Sequence, residues 1–301
     1  MIFFSHKCGQ LGNRLFAFAH LIAFAHANGY KVANLAFEEY APFFETTNQD
    51  AFCRFPTTRS LLRSSKIRFI LFTINRVVLK ALRILNITQS NLHSVVIADL
   101  PEYAFEEWRF YQLDTPAFKK LANKKFAFLF GRFFRDFENL QKHQNVIKEF
   151  FRPVPSIVSN VRSLMAVVRR DEALIIGVHI RRGDYREFKN GKYFFSQTQY
   201  FERMMSLQLQ HPERRMRFLI CSNEEIDRGV FANIDHEVGT GLLVEDLYSF
   251  AACDLLMGPP STFTKWASFM GNVPLLQIED INQPVTLQQF VFLTPETLYN
   301  F

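Results

Sequence analysis

The sequence has no Asp-x-Asp pair, no His-Glu-x-x-His and no clustering of cysteine with histidine. Metal-held diphosphates and metal-activated waters need such ligands close together, so any phosphate is expected on arginines and helix ends, with no metal site. Cysteine is scarce. Cys8, Cys53, Cys221 and Cys253 lie far apart, which argues against a disulfide framework and fits a reducing compartment. The start, Met1-Ile2-Phe3-Phe4-Ser5-His6-Lys7, lacks the charged opening and long apolar run of a signal peptide, so a cytoplasmic location is expected.

Charge-free apolar runs of the ~20 residues needed for a membrane span are also missing. The nearest stretch, residues 68–85, is interrupted by Arg76, Lys80 and Arg83 and reads as a basic amphipathic helix. Across residues 66–87 that helix is either an ordinary surface helix with a solvated basic face or a peripheral contact with an anionic inner-membrane face. Internal repeats and low-complexity tracts are absent.

What is present begins with size: 301 residues, 48% of them hydrophobic, suffice for two domains each with a core. Phenylalanine is abundant, with 35 residues crowded toward the first half, as core and as groove lining. The net charge of +6 favours an anionic partner: nucleic acid, an acidic membrane surface or a phosphate-bearing small molecule.

Along the chain, residues 2–5 read as a buried strand, followed by the turn Gly9-Gln10-Leu11-Gly12-Asn13 and a helix stopping near Gly29. A strand is expected at 31–36, another at 95–98, and a helix at 139–151. Arg152-Pro153-Val154-Pro155 is the clearest linker, dividing the chain into domains 1–152 and 153–301. The second half alternates a helix (157–170), a continuous apolar strand (174–180), a helix (197–210), a strand (216–221), a helix (245–253), a strand (254–257) and a helix (263–270). Alternation in both halves predicts two α/β domains.

Three segments stand out. The strand 174–180 runs into His179, Arg181, Arg182 and Asp184, where the paired guanidinium forks suit phosphate oxygens and Gly183 permits close backbone approach. The plain alternative is a polar turn with an Arg182–Asp184 surface ion pair. Gly258-Pro259-Pro260-Ser261-Thr262-Phe263-Thr264 places Ser261 and Thr262 at a helix N-terminus, either holding an anion or simply capping. The glycine turn at 9–13 lacks the third glycine of a dinucleotide fingerprint. Asp246 can accept from the N1–H and exocyclic amine of guanine together, or is a solvated helical acid.

In order along the chain, these segments resemble the bacterial α-1,2-fucosyltransferases, glycosyltransferase family eleven, and more distantly the α-1,6- and protein O-fucosyltransferases. The resemblance rests on Gly9 to Asn13, on the complete block His179-Ile180-Arg181-Arg182-Gly183-Asp184-Tyr185, on Cys221-Ser222-Asn223-Glu224, on Asp246 before Cys253-Asp254, and on Ser261-Thr262-Phe263 with Trp266. It departs from the family pattern at Gln10, Arg14 and Asn223-Glu224.

The resemblance implies a GT-B-like fold, two Rossmann-type domains facing across a cleft. Domain 1–152 would be the acceptor side, and 153–301 would bind GDP-fucose as donor substrate without a cofactor. It implies inverting, metal-independent transfer to the 2-hydroxyl of a terminal galactose-like glycan acceptor. By the same resemblance Arg181 would meet the β-phosphate with Arg182 assisting, and Asp246 would read guanine. Ser261 and Thr262 would hold phosphate beside Phe263 and His179, and Gly12 and Asn13 would close on the donor. Asp184 and Glu187 are candidate proton acceptors beside catalytic Arg181. The competing readings are a fucosyltransferase of another linkage, or a non-catalytic basic protein on RNA or acidic membrane. A nucleic-acid module should show distributed basic and aromatic positions instead, so no nucleic-acid partner is expected.

Overall fold

The apolar runs Ile2–Phe4 and Leu174–Ile180 each become the central strand of a five-stranded sheet. The computed structural model describes residues 1–84, 94–98, 110–131, 133–294 and 297. Two compact units result, Met1–Val154 and Pro155–Phe301.

The first unit runs β1 (Ile2–Phe4), α1 (Leu11–Asn28), β2 (Val32–Asn34), α2 (Glu45–Asn48), β3 (Arg54–Phe55), α3 (Ser65–Ile84) and β4 (Ser94–Ala98). It continues with β5 (Tyr111–Gln112), α4 (Pro116–Ala122), β6 (Phe126–Phe130), β7 (Phe134–Arg135), α5 (Phe137–Lys142) and α6 (Gln144–Phe150). The main sheet is ordered β3-β2-β1-β6-β4, parallel except for β3; β5 and β7 form a separate parallel pair. Helix α1 is alanine- and phenylalanine-rich and buried on nearly every side, as expected of a helix apolar all round. Its Phe18 packs edge-to-face on Phe37, Phe150 and Phe151 at 5.2–5.6 Å between ring centroids, which accounts for part of the phenylalanine excess.

Three local expectations shift. The strand expected over 31–36 stops at Asn34, because Leu35–Phe37 coil into a 3-10 turn that buries all three side chains. The helix expected over 139–151 starts at Phe137, where Asp136 caps it by accepting from Asn139 N–H at 3.1 Å, and breaks at His143. Helix α3 begins at Ser65, and residues 85–87 of the expected span lie outside the described residues. Its buried stripe is Arg68, Phe72, Asn75 and Leu79. Arg68 donates to the Asn48 carbonyl at 2.7 Å, and Asn75 donates to Ser5 Oγ beside β1 at 2.5 Å. The solvent side carries aliphatic as well as basic residues: Ile70, Ile74 and Val77 lie there exposed, with Lys66, Arg76 and Lys80.

The second unit runs α7 (Pro155–Val168), β8 (Leu174–Ile180), α8 (Gln197–Gln210), β9 (Met216–Ser222), β10 (His236–Val238), α9 (Leu243–Phe250), β11 (Leu255–Gly258), α10 (Thr262–Gly271) and β12 (Leu275–Gln277). All five strands are parallel, in the order β10-β9-β8-β11-β12. Strand β8 and helix α8 match their expected limits, the latter because Ser196 and Gln199 form a reciprocal capping box. The three-residue edge strands β10 and β12 were not expected. Neither is long enough to show a period of its own. Among the described residues no helix is long and apolar enough to cross a membrane.

Candidate active site

The order β10-β9-β8-β11-β12 reverses direction of growth between β8 and β11. In open parallel sheets, ligands bind beyond the carboxyl ends of the strands at this crossing. Two of the chemically suggestive segments leave the sheet there: His179 to Asp184 after β8, and Gly258 to Thr262 after β11. The strands approach so closely that a Cβ on Gly258 would lie 2.8 Å from both Cβ and the carbonyl oxygen of His179.

Past the strand end, Arg181 Nη2 donates to both oxygens of Asp184, at 2.8 and 2.9 Å. Its guanidinium carbon lies 5.5 Å from the Tyr185 ring centroid. Arg182 does not pair with Asp184, as the plain sequence alternative had it. Its Nε donates to Glu224 Oε2 at 2.8 Å, its Nη1 to the Phe195 carbonyl at 2.9 Å, and its backbone N–H to Asn223 Oδ1 at 2.8 Å. The Arg182 guanidinium holds Glu224 below the usual carboxylate range. Gly183 has φ +57° and donates its N–H to Glu224 Oε1 at 3.0 Å, and a Cβ there would meet Asn223 Nδ2 at 2.7 Å. Asn223 and Glu224 thus act as acceptors that brace the Arg182–Gly183 turn. Glu187 is exposed on the next turn, its N–H donating to the Asp184 carbonyl at 3.3 Å.

His179 is buried, its ring tilted against Phe263 at 5.1 Å between centroids and edge-on to Phe250 at 6.1 Å. Burial, then the neighbouring Arg181, pull its pKa down to about 3, so the imidazole is neutral. Its Nδ1 has no hydrogen-bond partner among the described residues.

Helix α10 opens at this point. Ser261 is its N-cap, accepting from Phe263 N–H at 3.1 Å. The capping reading holds at Ser261 Oγ, and the remaining first-turn N–H groups and positive dipole end are suited to an anion. Tyr185 ties the two loops together, donating from its hydroxyl to the Pro260 carbonyl at 2.6 Å, and burial pushes its pKa up.

Asp246 lies on the other flank of β8. It sits in the first turn of α9, which starts two residues earlier than expected, and it is buried, not solvated. Burial pushes its carboxyl pKa up, against hydrogen bonds from Thr240, whose N–H donates to Oδ1 at 2.8 Å. A Cβ on Gly239 would lie 2.5 Å from Asp246 Oδ1 and 2.6 Å from Cys221 Sγ, and Cys221 is the register partner of His179. Asp246, Cys221, His179 and Phe263 therefore follow one another along the carboxyl ends of the second sheet.

Gly12 and Asn13 belong to the first unit. They lie in the first turn of α1, after the turn that leaves β1, and β1 is flanked by β2 and β6 at that sheet's own crossing. Gly12 is buried and Asn13 exposed. Arg14 fastens this turn: its Nε donates to the Gly9 carbonyl at 3.1 Å, its Nη1 to the Ala36 carbonyl at 3.4 Å and to Glu39. The departure at Arg14 is thus a local clamp.

Sequence reasoning named Tyr185 without a role for it, and passed over Thr240 and the bracing role of Glu224. The acid two residues beyond the β9 strand end was visible, but its partner 42 positions away was not. Among the described residues no group of three His, Cys, Asp or Glu is placed to hold a metal ion.

Fold and site define a doubly wound α/β protein with an arginine- and helix-end-lined site at the crossing of its second sheet. The family model for glycosyl transferase family 11 matches residues 9–286, and the chain belongs to that family. No curated protein matches the sequence. Among solved structures, a mutant of Arabidopsis thaliana FUT1 in complex with GDP is similar over 94% of this chain and 72% of its own, at 11% identity and a TM-score of 0.55. The fucosyltransferase NodZ from Bradyrhizobium covers 94% of this chain and 96% of its own, at 13% identity and a TM-score of 0.54. POFUT1 in complex with GDP covers 95% and 96%, at 11% identity and a TM-score of 0.50. The expected GT-B-like α/β fold class is borne out by these likenesses.

Proposed function

We propose that this chain is a GDP-fucose-dependent, inverting fucosyltransferase that uses the 2-hydroxyl of a terminal galactose-like sugar, on a cell-surface glycan or its precursor, as acceptor. The observation that carries the donor half is the juxtaposition, through Tyr185 and Pro260, of the Arg181 strand end with the N-terminus of α10. Membership of glycosyl transferase family 11 supports sugar transfer, and structures of similar fold carry GDP. In this reading residues 153–301 hold the donor and 1–152 serve the acceptor. Asp246 accepts from guanine, and Arg181 and the helix end with Ser261 and Thr262 take the diphosphate. Arg182 positions that loop through Glu224, while Gly12 and Asn13 contact the donor from the first unit.

The reaction forms a bond from the acceptor oxygen to fucose C1, on the face opposite the departing phosphate oxygen. The C1–O bond breaks, GDP leaves with the electron pair, and the acceptor proton passes to a carboxylate. Asp184 is already engaged with Arg181, which leaves Glu187 as the carboxylate of this loop to receive it. Charge building on the β-phosphate strengthens its attraction to a fixed guanidinium, so Arg181 favours the transition state over the ground state.

A second reading concerns linkage alone. The similar NodZ is an α-1,6-fucosyltransferase, so the same fold accommodates a different acceptor hydroxyl. The deciding experiment presents the protein with several nucleotide sugars and galactose-terminated oligosaccharides, then assigns the product linkage by NMR. A 1,2-linked fucosyl product from GDP-fucose alone is expected. Transfer from another nucleotide sugar would overturn the donor assignment, and a different linkage would overturn the acceptor assignment.

A further inference from the structure

Helix α3 carries two stripes on opposite sides, a buried one of mixed polarity and an exposed aliphatic one. The inner one, Arg68, Phe72, Asn75 and Leu79, is docked on the first unit. The outer one, Ile70, Ile74, Val77 and Ile84, follows the same i, i+4, i+7 spacing, and each of its members is more than half exposed. Phe69 and the preceding Leu61 and Leu62 extend the exposed apolar surface. At 100° per residue, Lys66, Arg76 and Lys80 fall along one edge of the outer stripe, and all three are exposed. Between Asp50 and Asp99 the sequence contains eight Lys or Arg and no acid. A helix that is aliphatic along its outer stripe, cationic along one edge of that stripe and without carboxylates of its own complements an anionic lipid surface: acyl chains accept the stripe, headgroup phosphates the edge.

We propose that α3 is a membrane-docking helix that lies in the headgroup region of an anionic bilayer through Ile70, Ile74 and Val77, with Arg76 and Lys80 on lipid phosphates. This assignment stands independently of the sugar donor and acceptor. A second copy of the chain would need carboxylates to answer the cationic edge, and the segment itself supplies none. A nucleic acid would use the cationic edge and leave the aliphatic stripe in water.

The test is flotation of the full chain with vesicles of equimolar phosphatidylglycerol and phosphatidylcholine, against vesicles of phosphatidylcholine alone. Wild type is expected to float with the anionic vesicles, less so as salt rises, and to stay behind with the neutral ones. Ile74→Asp combined with Val77→Asp should abolish flotation. Arg76→Ala with Lys80→Ala should weaken it by at least about tenfold, since each basic residue near such a surface contributes about fivefold. Thermal unfolding of the aspartate variant should match wild type, because Ile74 and Val77 are more than half exposed. That of the alanine variant should fall only slightly, since it gives up the Arg76 guanidinium 5.8 Å over the Phe72 ring. The proposal is overturned if wild type ignores anionic vesicles, or if the aspartate variant floats like wild type. It is equally overturned if sedimentation shows a wild-type dimer that the aspartate variant breaks while vesicles go unbound. Retention on polyuridylate that depends on Arg76 and Lys80, without vesicle binding, would assign the helix to nucleic acid.

Discussion

The hydroxyl of Tyr185 donates to the carbonyl of Pro260 at 2.6 Å, joining the loop after β8 to the loop that starts α10. Two segments separated by 75 positions are brought together by this buried bond. Tyr185→Phe keeps the ring beneath Arg181 but leaves the Pro260 carbonyl without its donor. A stability loss of ~1–3 kcal/mol is expected, the cost of an orphaned buried acceptor, together with a raised KM for the nucleotide sugar. Thermal unfolding and donor-dependent kinetics read both. Unchanged values in each would mean the loops are held by other contacts.

Arg181 and Arg182 should respond differently to the same change. Lysine keeps the charge and loses the planar fork. At Arg181 this should lower turnover by ~10²-fold, the scale of removing one preorganised charge-stabilising donor, with little change in melting temperature. At Arg182, whose fork is committed to Glu224 and the Phe195 carbonyl, the same substitution should register chiefly in thermal stability. Near-normal turnover of Arg181→Lys would transfer the leaving-group role away from Arg181.

Asp246 is a buried carboxylate that already accepts from Thr240. Asp246→Asn presents an N–H to one of the two guanine donors, so GDP binding should weaken by ~1–3 kcal/mol. Calorimetric titration measures it. Equal affinity in a folded variant would place the base elsewhere.

The neutral state of His179 makes stability depend on acid. Its pKa is pulled down to about 3 in the fold, against an ordinary value of 6.5. Between those values the unfolded chain binds the proton and the folded chain does not, so stability present above pH ~6.5 is lost as pH falls toward 3. Buried His20, also shifted well down, adds to the same trend. His179→Gln should flatten the fall of melting temperature across this window. A slope identical to wild type would show that His179 does not titrate there.

Transfer should persist in excess chelator, because the proposed donor contacts are guanidinium groups and helix N–H donors. Assays with and without chelator, followed by magnesium add-back, decide the point. An absolute requirement for magnesium would overturn the mechanism.

Much of the second unit was legible because its signals are local. An unbroken apolar run followed by His179-Ile180-Arg181-Arg182 marks a buried strand ending in charge, and Ser196 with Gln199 marks where α8 starts. Phe263 and the cap at Ser261 were readable for the same reason. The edge strands β10 and β12 were not, since three residues paired on one side only carry no periodicity. Nor were the partners of the two arginines. Asp184 and Glu224 both lie within reach in principle, and only the course of the β9 loop assigns one to each.

By itself, the sequence determined where the apolar strands and capped helices lie and which residues cluster at strand ends, because propensity, capping and burial patterns act over a few neighbouring residues. The tertiary structure alone decided the strand order that makes β8 and β11 neighbours, the Tyr185–Pro260 bond across them, and which side of α3 faces inward. In α3 the stripes through Arg68 and through Ile70 have the same spacing, so periodicity cannot choose between them. The choice fell to what the neighbouring elements offered: carbonyls of Thr47 and Asn48 in α2 for a buried guanidinium, and Ser5 after β1 for the Asn75 amide, which turned the aliphatic stripe outward.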